Sequence, residues 1–532
     1  MTRERIYLFD TTLRDGAQTQ GVAFSVDDKR RIALVLDELG VDYVEGGWPG
    51  ANPTDTAFFS ERPPLKTARF TAFGMTKRAG RSAANDPGLA QVLDAQADSV
   101  CLVGKTWDFQ VRVALDIPYK DNIDGIAESI AAVVAKGREP LFDAEHFFDG
   151  YKANPDYALQ CIKAAHDAGA KWLVLCDTNG GTMPDEVYDI VAAVKDKLSA
   201  AALGIHAHND TGQAVAVSLA AVDAGARQIQ GTLNGLGERC GNANLCTVIP
   251  NLMLKDRFAR RFETGITTEA LARLTPVSRL LDKILGRLPD RHAAYVGPSA
   301  FAHKGGLHSS AVLKDPRTYE HVPPESVGNA RNILVSDQAG RSNLLARLSE
   351  VGIALDAKDP RLERLLEDIK QREFLGYTYD GAEASFELLA RRALGQVPNY
   401  FDVESFRVLV ERRHNARGEL VTVSEAVVKL KVDGEMLLTA GEGNGPVNAL
   451  DWALRKDLGK YSSFLADLRL VDYKVRILNM GTEAITCVTV ESADGHENRW
   501  STVGVSPNLV DASFEALTDS ICYKLFRDGA RA

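Results

Sequence analysis

The sequence predicts a (β/α)8 TIM barrel, followed by a helical connector and a C-terminal α+β domain that contains an internal duplication. Eight short apolar runs alternate with segments of helical period in the first half of the chain. The helical pattern then becomes irregular, and strand-like segments dominate the last quarter. We therefore expect three regions: a barrel over residues 1–275, a connector over 276–397 and a C-terminal domain over 398–532.

The barrel prediction depends on the number and spacing of the apolar runs. Eight strand-helix units within about 255 residues match the typical barrel length of about 250 residues. A doubly wound sheet is the alternative, but it seldom has eight regular repeats. Intervening helices are predicted at Val26–Leu39, with Ser25 as N-cap, at Pro184–Leu198 and at Val215–Ala224. The predicted strands are Ile6–Asp10, Tyr43–Gly46, Phe70–Phe73, Ser99–Val103, Pro140–Glu145, Trp172–Asp177, Leu203–His208 and Gln228–Leu233.

The C-terminal region contains a weak internal repeat. Residues 439–454 align without gaps on residues 502–517, with Gly441 opposite Gly504 and with coincident Thr, Val, Leu and two Ala positions. Each copy follows candidate strands and opens a helix. The pattern predicts two similar β-then-α units.

Composition limits the possible partners and compartments. The chain of 532 residues carries 62 basic and 72 acidic residues, and its formal charge of -10 offers no general attraction to nucleic acid or to an anionic membrane. Seven irregularly spaced cysteines without a CxxC pair are typical of a reduced, cytoplasmic protein. No apolar stretch approaches the roughly 20 residues that a spanning helix needs. We expect a cytoplasmic protein with no nucleic-acid or membrane partner.

Two groups of polar residues lie where predicted barrel strands end, which is the active-site face of this fold. Arg14 and Asp15 follow the first strand, and His206 and His208 end the seventh. Residues i and i+2 of an extended segment point to the same side, so the two imidazoles can share a metal with a carboxylate from another strand. Each pair alone is also typical of structural histidines or of an ordinary ion pair. Their shared position at the barrel mouth favours a catalytic metal site with open coordination positions.

Further strand ends add candidate residues. Glu145 follows the fifth strand and Thr178 the sixth, and a glycine-rich loop over 234–242 follows the eighth. Cys240, in that loop, is expected to be a packing residue. Phe73, Leu102 and Asp143 lie near strand ends and are expected to line the substrate pocket.

Three motifs in order resemble the signatures of the acyl-CoA-condensing aldolase family that includes the 2-isopropylmalate, homocitrate and citramalate synthases. The motifs are residues 10–16 (DTTLRDG), 206–210 (HAHND) and 235–242 (GLGERCGN). The resemblance extends over the connector motif 301–308 (FAHKGGLH) and the duplicated C-terminal domain. Within the family, residues 45–55 (EGGWPGANPTD) most resemble the citramalate synthase branch.

The resemblance implies a role for each matching residue. Asp15, His206 and His208 would be metal ligands, with Asn242 in or near the coordination sphere. Arg14 would contact a 2-oxo acid, and Thr178 would bind its carboxylate. Glu145 and His308 would be acid/base residues, with His308 supplied by the neighbouring subunit. Ser309 and Ser310 follow His308 where some relatives have an acidic residue, so the proton route there is open.

The resemblance also implies a reaction and its partners. Acetyl-CoA, pyruvate and water would give citramalate and CoA, with a divalent Mg, Mn or Zn ion as cofactor and isoleucine as an effector of the C-terminal domain. A homodimer is expected. A 2-isopropylmalate synthase of leucine biosynthesis is the serious alternative, because one or two methyl groups change transition-state binding by only about 1 to 3 kcal/mol each. A metal-dependent acyl-CoA lyase or aldolase is a weaker alternative, because such relatives generally lack the C-terminal domain.

Overall fold

The computed structural model, which describes residues 3–333, 341–414, 416–478, 484–496 and 498–531, closes eight parallel strands into a barrel. Every predicted strand is present, with ends that differ from the prediction by at most two residues. Each strand pairs in parallel with the next, and the eighth pairs with the first. The strands are β1 Tyr7–Asp10, β2 Tyr43–Gly47, β3 Arg69–Met75, β4 Ser99–Lys105, β5 Glu139–Glu145, β6 Trp172–Asp177, β7 Leu203–Ala207 and β8 Gln228–Gly231. The predicted TIM barrel is therefore confirmed.

Local signals set the helix bounds. The helix Val26–Leu39 starts at a capping box, in which the N-H of Asp28 donates to the Ser25 hydroxyl and the N-H of Ser25 donates to the Asp28 carboxylate, and it ends at Gly40, whose φ of 95° suits glycine. The predicted helices at 184 and 215 are also present, as Pro184–Lys197 and Ala214–Ala224. The other helices of this unit are Pro53–Ser60, Pro87–Asp94, Asp108–Gln110, Tyr119–Ala135, Phe147–Ala153, Pro155–Asp167, Leu245–Leu254, Asp256–Ala259, Thr268–Leu271 and Leu274–Ile284.

Strand side chains alternate between the barrel interior and the helical shell. Phe9, Tyr43, Cys101 and Trp172 belong to a cluster that fills the interior. Leu102 belongs instead to the large cluster that the strands share with the surrounding helices. Burying one large apolar side chain contributes roughly 1.5–3 kcal/mol to the free energy of unfolding, so both layers stabilise the barrel. The polar residues at the strand ends remain at its mouth.

The chain divides into two compact units. The barrel unit comprises residues up to 301 with 321–331, and the second unit comprises 302–320 with the residues from 332 onward. Helices of the second unit outside its sheets are Gly306–Lys314, Arg341–Glu350, Pro360–Phe374 and Glu383–Ala393. The predicted boundaries at residues 275 and 397 remain predictions.

Two β-then-α repeats form the C-terminal part of the second unit. The antiparallel strands β9 Asp402–His414, β10 Leu420–Val432 and β11 Glu435–Gly443 precede the helix Pro446–Lys456. The strands β12 Arg469–Ile477, β13 Thr486–Ala493 and β14 Arg499–Ser506 precede the helix Leu509–Arg527. The α+β class and the repeat are thus as predicted.

The two matching glycines have the same packing role. A Cβ on Gly441 would lie 2.6 Å from the backbone nitrogen of Ala453, and one on Gly504 would lie 2.9 Å from that of Ala516. Both distances are too short for real Cβ contacts, so only glycine lets the last strand approach the following helix so closely. Among the described residues, no helix combines the length and hydropathy that crossing a bilayer requires.

Candidate active site

A cavity of about 260 Å³ opens at the carboxyl ends of the barrel strands. Six of the predicted site residues line it: Arg14, Asp15, Glu145, Thr178, His206 and His208. They come from the ends of β1, β5, β6 and β7, so residues up to 194 positions apart meet in one pocket. Choosing polar residues at the ends of predicted barrel strands therefore identified residues that line one pocket.

Asp15, His206 and His208 form a tight cluster. Nε2 of His206 lies 3.3 Å from Nε2 of His208 and 3.3 Å from Oδ2 of Asp15, and Nε2 of His208 lies 3.7 Å from the same oxygen. All three side chains are buried. Three donor atoms at these separations can bind one ion, which is the arrangement predicted from the HxH spacing.

The charges of the cluster suit metal binding. Burial opposes ionisation of Asp15, but Arg14 and His206 together hold its pKa below the ordinary value. Burial, reinforced by His206, lowers the pKa of His208 to about 4. At neutral pH, Asp15 is therefore an anionic donor and His208 a neutral one, as metal coordination requires.

Asn242 provides an independent test of whether the residues of this cluster suit a metal ion. Its Oδ1 atom is buried and has no hydrogen-bond partner within the described part of the chain, while its Nδ2 donates to the carbonyl of Leu236 at 3.1 Å. Its backbone forms an isolated bridge with His208. A buried, unpartnered amide oxygen beside two imidazoles and a carboxylate is consistent with a ligand set for a divalent cation.

A second layer of side chains orients His206. Nδ1 of His206 lies 2.9 Å from Oε1 of Gln230, whose Nε2 donates to Oδ1 of Asp143 at 2.9 Å. The amide nitrogen faces the carboxylate, so the amide oxygen accepts a hydrogen bond from Nδ1-H and fixes the ring with Nε2 toward Asp15. The sequence prediction missed Gln230, although a polar residue at an inward position of a buried strand is a usable signal.

Arg14 is held by a carboxylate that the sequence prediction did not assign to the site. Its Nε donates to Oε2 of Glu45 at 2.7 Å, and the same oxygen accepts from the hydroxyl of Thr11 at 2.5 Å. The guanidinium carbon also lies 3.9 Å from the ring centroid of Phe73, and Glu45 is fully buried. The guanidinium is thus fixed in direction before any substrate arrives.

Glu145 and Thr178 lie on adjacent sides of the pocket. Oε2 of Glu145 is 2.6 Å from Nζ of Lys105, a residue that the sequence prediction also missed. Oγ1 of Thr178 accepts from the backbone N-H of His146 at 2.8 Å, so its own hydrogen can be donated to a ligand. His308 belongs to the second unit, where its exposed ring contacts Tyr319, and its acid/base role stays a prediction.

Two predictions about individual residues are wrong. Leu102 does not line the pocket, because it faces the helical shell, whereas Phe73 and Asp143 do line it, with Val103 in place of Leu102. Cys240 is exposed and is not a packing residue. Both errors concern the direction in which a side chain points.

Three family models match successive parts of the chain. The HMGL-like model matches residues 5–277, the homocitrate synthase post-HMGL domain-like model matches 295–373, and the LeuA allosteric (dimerisation) domain model matches 380–525. The first covers the barrel and all of the pocket described above. The chain belongs to the HMGL-like family, a family of metal-dependent TIM-barrel enzymes.

Curated relatives match the chain over nearly its whole length. The (R)-citramalate synthase of Aquifex aeolicus is 50% identical over 529 residues, covering 99% of this chain and 98% of the relative. That of Geobacter sulfurreducens is 51% identical over 526 residues, covering 98% of each. A probable 2-isopropylmalate synthase of Methanopyrus kandleri is 33% identical over 518 residues, covering 97% of this chain and 98% of the relative. Within the HMGL-like family, the chain therefore belongs with the (R)-citramalate synthases.

Proposed function

We propose that this chain condenses acetyl-CoA with pyruvate and water to give (R)-citramalate and CoA. The observation that carries the proposal is the cluster of Asp15, His206 and His208 beside Arg14 and Glu145 in one pocket. The similarity to (R)-citramalate synthases over the whole chain supports it over 2-isopropylmalate synthesis, for which the named relative is less similar. The match to the LeuA allosteric (dimerisation) domain model supports a synthase over a lyase, because the lyase alternative was weakened by the expectation that such relatives lack a C-terminal domain.

Asp15, His206, His208 and Asn242 would hold the divalent ion. Mg²⁺ or Mn²⁺ is our first expectation and Zn²⁺ the alternative, because the mixed nitrogen and oxygen donors are compatible with all three. When bound, such an ion supplies Lewis-acid polarisation of a ketone. Gln230 would keep Nε2 of His206 directed toward that position.

Arg14 and Thr178 would orient the 2-oxo acid. The Thr178 hydroxyl has a hydrogen to donate to the substrate carboxylate. Arg14, fixed by Glu45, would stabilise the negative charge that develops on the ketone oxygen during carbon-carbon bond formation. Because the guanidinium is already oriented, little reorganisation is needed when the charge forms.

Glu145 and His308 would transfer protons. A carboxylate can remove a proton from the acetyl methyl, and the resulting carbon nucleophile attacks C2 of pyruvate. Water then cleaves the thioester and releases CoA. We propose that His308 of the neighbouring subunit completes the site, and mixing inactive Arg14→Ala and His308→Ala chains should then restore activity through one intact site per mixed dimer.

The pocket wall supports the choice of a small 2-oxo acid. Trp48, Phe73, Met75 and Val103 line it, and the rings of Trp48 and Phe73 meet edge to face at 5.6 Å. Arg14 lies over the Phe73 ring, so the ring cannot turn away without losing that contact. These bulky groups favour the methyl of pyruvate over the isopropyl group of 2-oxoisovalerate, by about 1–3 kcal/mol for each extra carbon.

A panel of 2-oxo acids with acetyl-CoA, followed by release of free thiol, tests the proposal. We expect the highest kcat/KM with pyruvate, activity that a chelator abolishes and a divalent ion restores, and loss of turnover in Asp15→Asn and His206→Ala. Preference for 2-oxoisovalerate would contradict the assigned substrate. Full activity of His206→Ala in metal-stripped buffer would contradict the assigned metal site.

The C-terminal repeats support regulation and assembly. The match to the LeuA allosteric (dimerisation) domain supports an oligomer, and we propose a homodimer. We also propose isoleucine as the effector. The helices Pro446–Lys456 and Leu509–Arg527 begin after the glycine-containing strands, and N-H groups of their first turns, other than that of Val510, which already donates to Asn508, could donate to a ligand carboxylate.

A further inference from the structure

Lys105 and Glu145 form an ion pair at the matching ends of adjacent strands. They are Cα partners at the last position of the β4–β5 register. Nζ of Lys105 lies 2.6 Å from Oε2 of Glu145, and the two side chains are only 16% and 23% exposed. A pair so shielded is screened much less by salt than a surface pair, so the lysine holds the carboxylate in place.

The backbone on both sides of the pair is also fixed. The N-H and the hydroxyl of Thr106 both donate to the carbonyl of Glu145, at 3.1 and 2.8 Å. Nδ2 of Asn122 donates to the carbonyl of Lys105 at 2.9 Å and also to the hydroxyl of Tyr157 at 2.9 Å. The two charged side chains therefore start from anchored positions.

The ion pair faces cavities and not the protein core. Lys105 lines both the 260 Å³ catalytic cavity and a neighbouring cavity of about 380 Å³, and the two cavities also share Trp48 and Met75. Lys105 therefore lies where the two cavities adjoin. An ion pair that served only stability would not need this position.

Among the other charged groups of the cavity, Asp143 carries the same charge as Glu145, and both arginines are paired with other carboxylates. Asp143 is two residues earlier on the same strand and lines the same cavity, so its carboxylate repels that of Glu145 when both are ionised. Arg14 is bonded to Glu45, and Arg239 pairs with Asp210 at 2.8 Å. The remaining titratable groups that line the cavity are Asp15, Cys176, His206, His208 and Glu238.

We propose that Lys105 is a positioning residue that holds the carboxylate of Glu145 directed into the pocket, which makes Glu145 the proton acceptor for the acetyl methyl. The inference rests on the proposed condensation. In the step, a methyl C-H bond breaks, an O-H bond forms on Glu145, and the electron pair moves into the enolate of the thioester. Lys105 neither gains nor loses a proton in this step, because it acts only by positioning Glu145.

The test compares Lys105→Met, which removes the charge at similar length, with Lys105→Arg, which keeps it. We expect Lys105→Met to lower kcat by about 10- to 100-fold, a part of the 10²- to 10⁴-fold that general acid-base catalysis supplies. The KM for pyruvate should change little. The deuterium isotope effect with trideuterated acetyl-CoA should rise. Lys105→Arg should restore most of kcat and the wild-type isotope effect.

A matched control and a folding check keep the result interpretable. Lys136→Met removes an ion-paired lysine on the outside of the barrel, 2.7 Å from Asp94, and should leave all three readouts unchanged. Calorimetric Mn²⁺ binding by Lys105→Met should match that of the wild type, which shows that the barrel mouth is folded.

Lys105→Met with kcat within twofold of wild type would overturn the proposal. So would a lower kcat with an unchanged isotope effect, since that pattern indicates a purely structural role. A wild-type chain that releases no CoA from acetyl-CoA and pyruvate would instead contradict the proposed function itself, so the two failures are distinguishable.

Discussion

The hydrogen-bonded chain from His206 through Gln230 to Asp143 predicts how a single amide controls metal affinity. In Gln230→Leu, Nδ1 of His206 loses its acceptor and Asp143 loses its donor, each at 2.9 Å. The imidazole can then place its proton on Nε2, the atom that faces Asp15 and His208. Such outer partners typically contribute 10- to 100-fold in metal affinity. We therefore expect the dissociation constant for Mn²⁺ to rise 10- to 100-fold, or about 1.4–2.8 kcal/mol.

Gln228 supplies the matched control for this substitution. It lies two residues earlier on β8, it is fully buried, and both of its amide atoms lack a partner within the described residues. Gln228→Leu removes the same side chain from the same strand without touching His206. Calorimetric titration of metal-stripped protein with Mn²⁺ should show wild-type affinity for Gln228→Leu. Wild-type affinity in Gln230→Leu, or equal losses in both variants, would refute the reasoning.

Three further predictions concern stability and regulation. Nζ of Lys29 is buried, donates to the carbonyls of Leu13 and Gly46 at 2.8 and 2.9 Å, and pairs with Asp55. Lys29→Met should therefore lower the free energy of unfolding, measured by urea titration, by about 3–5 kcal/mol. Adding Asp55→Asn should recover part of that loss. Burial raises the pKa of Asp10 to about 7, above its ordinary value in an unfolded chain, so this group lowers stability as pH rises from about 4 to 7. Asp10→Asn should therefore gain stability relative to wild type at pH 8 and not at pH 4, measured by the same titration; an equal difference at both pH values would contradict this. Isoleucine should inhibit the full chain, with a coupling free energy between effector binding and activity of about 1–3 kcal/mol. Inhibition by leucine alone would indicate 2-isopropylmalate synthesis. If neither amino acid inhibits, the C-terminal domain serves only assembly.

The sequence by itself determined the barrel and the identity of most pocket residues. Hydrophobic period and helix caps are local signals, so the strands were placed to within two residues and the helix Val26–Leu39 was placed at its observed bounds. The barrel rule then converts a strand end into a position at the active-site face. For this reason Asp15 and His206, nearly 200 positions apart, were assigned to one site without knowledge of any contact.

Only the tertiary structure decided how those residues are held. Glu45 fixes Arg14 from 31 positions away, and Asp143 fixes Gln230 from 87 positions away, and no local pattern specifies such pairs. The ion pair of Lys105 with Glu145 depends on the register between β4 and β5. Leu102 was misplaced because strand side chains alternate with a period of two, so an uncertainty of one residue reverses the direction of a side chain. Register and long-range contact are set when all eight strands close together, and for that reason they are properties of the folded barrel and not of any segment of the chain.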